Sequence, residues 1–280
     1  MPGWKKLSGG CALAAWLATV CPALAQAQVE TAQPLQQRVA LSAEWRQAAG
    51  RGGVPSKVEQ ALVTVVLPPG FDAARDWPVL IVNATSDPGY SSSRALLQAY
   101  RAAAGDAGWV IVAADPEPAV GQDDDLLQLR YVLGHAALAV LKPLWKGAEQ
   151  PRIAFAGFSG GAKYAGWLAA LFRSRGARVA GVYMAGVNTN ALGEAAKQFG
   201  GLDEAMRAVP VFLQGGLKDR VATPAQHRGI EDDLRAAGFK RVKLEFVAGG
   251  HMVDAAPLRG ALEWFAGPVA EADAASAPPR

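Results

Sequence analysis

Between Ala61 and Phe265, short apolar runs alternate with longer stretches in which apolar residues return every three or four positions. The runs are ALVTVVLP from Ala61, PVLIVNA from Pro78, GWVIVAAD from Gly108, RIAFAGF from Arg152, RVAGVYMAG from Arg178, VPVFLQGG from Val209 and RVKLEFVAGG from Arg241. Most are continuously apolar rather than alternating, as strands buried on both faces should be. Helices are expected over residues 92–107, 124–141, 160–175, 224–237 and 257–265. This alternation predicts an α/β fold of three layers, with a mostly parallel central sheet and helices on both faces. In such sheets, ligands and chemistry gather at the carboxyl ends of the strands.

The pattern stops at both ends of the chain. Residues 28–57 are polar and alanine-rich, with AAGRGG at 48–53, and read as a loosely held N-terminal segment with one short helix. Residues 268–280 hold small residues and proline without apolar spacing, the composition of a disordered tail. Residues 1–27 read as a secretory signal peptide. Lys5 and Lys6 precede an apolar stretch from Cys11 to Val20, and Ala23-Leu24-Ala25 then offers cleavage after Ala25 or Ala27. The stretch is too short to span a bilayer comfortably, so no integral membrane segment is expected in the mature chain. The expected location is periplasmic or secreted.

Removal of that peptide changes the composition argument. Both cysteines, Cys11 and Cys21, lie within it. The mature chain then has no disulfide, cysteine nucleophile or thiolate metal site. The whole chain carries a net charge of +3; without Lys5 and Lys6, 26 basic residues face 25 acidic ones. Such a balance gives no electrostatic case for a nucleic-acid partner. Asp123, Asp124 and Asp125 have neither a histidine nor a fourth carboxylate nearby, and read as charges favoured at a helix start. No cofactor or metal is implied.

The stretch Gly157-Phe158-Ser159-Gly160-Gly161 joins an apolar strand to a helix. A phosphate loop would need glycine then Lys-Ser/Thr, where this chain has Ala162-Lys163-Tyr164. A dinucleotide fingerprint fails because Ser159 stands at its second glycine, and a Ser-x-x-Lys pair fails because Lys163 lies four residues on. G-x-S-x-G fits. A serine on a sharp strand-to-helix turn needs small neighbours for close approach, and the turn lifts its hydroxyl above the sheet. The N–H of Gly160 then opens the helix and faces any developing oxyanion.

A serine nucleophile needs a base, and the base an orienting acid. The chain has three histidines. His135 lies in an apolar helix and reads as structural; His227 reads as part of a solvated helix face. His251 follows the last strand and Gly249-Gly250, where a loop histidine reaches over the sheet edge. Asp219 follows the strand ending in Gly215-Gly216, whereas Asp203, Glu204, Asp232 and Asp233 lie away from strand ends. Asp254 is too near His251 to need a separate strand. The order is Ser159, Asp219, His251.

GFSGG, GGLKDRVATP and GGH, in that order, make residues 58–267 resemble the α/β-hydrolase superfamily. The likeness is to small lidless bacterial esterases of the dienelactone-hydrolase, polyester-depolymerase and feruloyl-esterase kinds; DDDLLQLRYVL from Asp123 is similar to their helix before the nucleophile strand. The resemblance implies Ser159 as nucleophile, His251 as general base and Asp219 as its orienting acid. Such enzymes carry His-Gly after the second core strand, where this chain has Asn83-Ala84; by alignment the second oxyanion donor is the Thr85 N–H, beside that of Gly160. The implied activity is hydrolysis of small carboxylic esters. The rival readings are a catalytically silent binding protein and a peptidase or thioesterase of the same scaffold. The connection between the strands at 178–186 and 209–216 holds few large apolar residues, Leu192, Phe199, Leu202 and Met206, so no lid and only compact acyl groups are expected. Tyr90 and the serines at 91–93 are candidates for the pocket mouth.

Overall fold

The computed structural model describes residues 33–199 and 201–267; residues 1–27, read as a signal peptide, and 268–280, read as a tail, lie outside the described residues. Eight strands form one sheet: β1 (Leu35–Ala40), β2 (Gln60–Val66), β3 (Val79–Asn83), β4 (Val110–Glu117), β5 (Arg152–Phe158), β6 (Arg178–Ala185), β7 (Val211–Gly216) and β8 (Val242–Val247). Their order is β1-β2-β4-β3-β5-β6-β7-β8. β2 runs antiparallel to β1 and β4; every pairing from β4 to β8 is parallel. The helices are α1 (Ala43–Ala48), α2 (Ser93–Asp106), α3 (Leu127–Leu141), α4 (Gly160–Ser174), α5 (Ala191–Phe199), α6 (Glu204–Arg207), α7 (Pro224–Ala236) and α8 (Ala256–Ala266).

The continuous apolar strands are buried on both sides, as their composition requires. In β3, Val79 and Ile81 face one core with α3, α4, α5 and α7, while Leu80 and Val82 face the other with α2 and α8. Two cores separated by the sheet make the three layers. Among the described residues no helix is long and apolar enough to cross a membrane.

The sheet begins earlier than the apolar pattern suggests. The segment read as loosely held carries β1, paired along its length with β2, and α1, capped by the Ser42 hydroxyl accepting from the Trp45 N–H. β1 is an edge strand in which Val39 alone is half-buried. An edge of that polarity has no apolar period to read. Trp45 closes the gap beneath it, edge-on to His135 at 5.6 Å. His135 also lies between Tyr131 and Phe172, at 4.5 and 4.8 Å between ring centres, as a packed histidine does.

His227 departs from the sequence reading. It is fully buried, with its Nδ1 against the Thr223 carbonyl at 3.1 Å and its ring against Phe246. Positions 227, 230 and 234 form the single apolar stripe of α7, with Ile230 and Leu234. The polar neighbours at 226 and 228 belong to other faces and hid that stripe. In the connection from β6 to β7, α5 packs on α4, with Phe199 edge-on to Trp167 at 5.7 Å, and Leu192 and Met206 are buried in the core.

Candidate active site

β5 runs straight into α4, and Ser159 makes the corner with φ 55° and ψ −120°. Among the described residues it is the only non-glycine with a positive φ. The corner is held by the Ser159 N–H donating to the Ala185 carbonyl at 2.8 Å, and by the Ser159 carbonyl accepting from Ala162 at 3.0 Å. Its glycines are required by contact: a Cβ on Gly157 would lie 2.1 Å from the Gly161 carbonyl oxygen, and one on Gly161 2.1 Å from that of Asn83. β3, β5 and α4 approach too closely for any side chain there.

Asp219 and His251 come from the loops after β7 and β8. These loops are tied together: Leu217 N–H donates to the Val247 carbonyl at 2.9 Å and Lys218 N–H to that of Gly249 at 2.7 Å. His251 Nδ1 lies 2.8 Å from Asp219 Oδ2, and its Nε2 lies 3.0 Å from Ser159 Oγ. A carboxylate can only accept, so Nδ1 carries the proton and Nε2 is free to take one from the serine. The other Asp219 oxygen accepts from the N–H groups of Val221 and Ala222 at 2.8 and 2.9 Å. Burial pushes the Asp219 carboxyl up, but the Ala222 N–H, the His251 ring and the Val221 N–H outweigh it and hold it below its ordinary range. The carboxylate is therefore charged, buried and fully engaged. Phe158 packs against the His251 ring at 4.7 Å.

Thr85, after β3, lies beside Gly160: a Cβ on Gly160 would fall 2.4 Å from Thr85 Oγ1. The Thr85 hydroxyl donates to Asp87 Oδ2 at 2.7 Å. All five residues singled out in the sequence thus meet at the carboxyl end of the sheet. Beside them opens a cavity of about 560 Å³, lined by Ser159 and His251 with Leu96, Phe158, Val253 and Tyr90. Tyr90 and Ser92 do line its mouth, while Ser93 is buried behind it.

No protein-family model matches the chain, and no curated protein matches it in sequence. Solved structures do. A ferulic acid esterase aligns at TM-score 0.53 and 15% identity, over 83% of this chain and 96% of its own. An α/β serine hydrolase without lid from Xanthomonas campestris aligns at 0.54 and 15%, over 82% and 93%. A serine hydrolase homologue from Coxiella burnetii aligns at 0.53 and 18%, over 74% and 92%. The fold is that of the α/β hydrolases.

One polar cluster of this fold went unread in the sequence. Asp125, read with Asp123 and Asp124 as a charge favoured at a helix start, is buried. Arg130 Nε and Nη2 hold its carboxylate at 2.6 and 2.5 Å, and both side chains are almost fully enclosed. Burial without a partner would cost several kcal/mol per charge, so only the pair makes this place habitable. The available signal was Arg130 itself, a lone cation in the otherwise apolar LQLRYVLGHAALAVL of α3.

Proposed function

We propose that the protein is a serine hydrolase of carboxylic esters with compact acyl groups. The observation that carries this reading is the unbroken line from Asp219 through His251 to a strained serine. Ser159 Oγ attacks the ester carbonyl carbon as its proton passes to His251 Nε2. Asp219 keeps the imidazole in the required tautomer and stabilises the imidazolium. The carbonyl oxygen becomes an oxyanion facing the N–H groups of Gly160, at the head of α4, and Thr85. His251 then gives its proton to the leaving alcohol. Water then attacks the acyl carbon as it loses a proton to His251, and His251 returns that proton to Ser159 Oγ as the C–O bond to the serine breaks and the acid leaves.

The cavity supports the substrate size. Its volume suits a small ligand, and its walls are largely apolar. Among the described residues, none between β6 and β7 lines it. Residues 1–27 support action outside the cytoplasm, with a mature chain that begins near Gln26 or Gln28.

The test is covalent labelling by a fluorophosphonate. The wild type should react and Ser159→Ala should not. Aryl esters from acetate to butyrate should turn over with higher kcat/KM than the palmitate ester, with no rate jump at an oil–water interface. An unlabelled wild type would overturn the hydrolase and favour a binding role for the same cavity.

A further inference from the structure

The Asp125–Arg130 pair does more than neutralise itself. Two guanidinium nitrogens face Asp125; the third, Nη1, donates to Ser93 Oγ at 3.1 Å, from 37 residues away in sequence. Ser93 Oγ also accepts the Ala84 N–H at 3.2 Å, in the peptide just before Thr85. Ser93 itself is fixed from behind, its N–H donating to Asp115 Oδ1 at 2.6 Å. On the other side stands Tyr164, one turn into α4 from Gly160. Its hydroxyl donates to the Asp125 carbonyl at 2.6 Å, and the Arg130 guanidinium lies 5.1 Å from its ring centre. One arm of the cluster therefore ends next to Thr85 and the other on the helix that begins with Gly160.

We propose that Arg130, with Asp125, is a positioning element that sets the spacing of the two oxyanion donors, acting on the Thr85 side through Ser93 and on the Gly160 side through Tyr164. This rests on the reading of Ser159 as nucleophile and of those two N–H groups as its donors. None of the four residues lines the cavity. A buried ion pair can be replaced by apolar packing with little loss of stability, so stability alone gives no reason for it. Its particular use is geometric. Thr85 and Gly160 belong to segments that no strand pairing joins directly beyond Asn83, which pairs with Gly157. Past that point a loop and a helix follow that still touch at Thr85 and Gly160, and the Arg130 cluster adds a second link to each, through Ser93 and through Tyr164. Misplacing a preorganised donor by a fraction of an ångström weakens it for the transition state and hardly affects ground-state binding.

Replacing Arg130 would strand the Asp125 charge and risks unfolding, so the variants are Ser93→Ala and Tyr164→Phe, each cutting one arm and leaving the pair intact. Active sites are titrated with fluorophosphonate so that rates refer to folded protein. Each variant should lower kcat on an aryl acetate about tenfold with KM within about twofold. A boronic acid, which forms a tetrahedral adduct on Ser159, should lose affinity by a similar factor, while the free alcohol product binds as before. A lowered melting temperature with unchanged kcat and unchanged boronate affinity in both variants would make the cluster structural only and overturn the inference. A wild type inert to fluorophosphonate would instead overturn the nucleophile reading, and this inference with it.

Discussion

Ser159 lies in a backbone region that L-residues other than glycine occupy at a cost of about 1 to 3 kcal/mol. Nothing in the side chain's contacts relieves this; the fold imposes it. Ser159→Gly should therefore raise the unfolding free energy measured in urea by roughly 1 kcal/mol, net of the added freedom of the unfolded chain, while abolishing turnover. Ser159→Ala, which keeps a Cβ, should abolish turnover without that gain. Asp219 gives a pH-dependent counterpart. Its carboxyl is held below the ordinary range when folded. The stabilisation this represents is complete above the unfolded-state value of about 3.9 and is lost as pH falls through the lower folded value. Asp219→Asn should lower kcat by up to about ten-thousand-fold at neutral pH. Its stability deficit in urea, roughly 1 to 3 kcal/mol at pH 7, should close toward zero below about pH 4. A deficit that stays constant down to about pH 2 would show that the charge contributes nothing to folding.

Elements were legible in proportion to how apolar they are. The strands from β2 to β7 and five helices announce themselves because burial on both faces leaves few polar residues in the strands and spaces them in the helices, while the half-exposed β8 shows itself by alternation. β1 could not be read, since a covered polar edge leaves one half-buried side chain in six residues. The hydrogen-bonded line from Asp219 through His251 to Ser159 was legible because histidine is scarce here and each candidate could be weighed by its place after a strand. The Asp125–Arg130–Ser93 cluster was not, because its members meet only once β3, α2 and α3 are packed. Close approach between elements also decides which glycines are replaceable. At Gly161 an added methyl meets the backbone of β3, whereas at Gly229, inside α7, it meets nothing within 4 Å. Gly229→Ala should stabilise the protein by about 1 kcal/mol through helix propensity. Gly161→Ala should destabilise it by roughly 3 kcal/mol or more, since backbone must move. Thermal melts of the two variants separate these outcomes by sign.

On the scale of the whole molecule, the sheet has two unequal edges. β8 carries Lys243 and Glu245, half exposed and paired with each other at 3.5 Å. At the far side β1 shields β2, whose residues are buried almost throughout, and the Arg38–Glu117 ion pair at 2.6 Å clips β1 across to β4. A chain beginning at residue 58 would leave the apolar β2 with unpaired N–H and C=O groups. It should associate on size-exclusion chromatography and melt at lower temperature than a chain beginning at residue 33. Monomeric behaviour with an unchanged melt would mean that β1 is dispensable. The sheet order carries a further consequence for the timing of synthesis. β3 lies between β4 and β5, so the strand leading to Thr85 cannot be paired on both sides until the strand leading to Ser159 has left the ribosome. His251 follows even later, beyond β8, the last strand made. A nascent chain thus holds Ser159 without His251 for about a third of translation, and the assembled site arrives only when almost every other part of the protein is already in place.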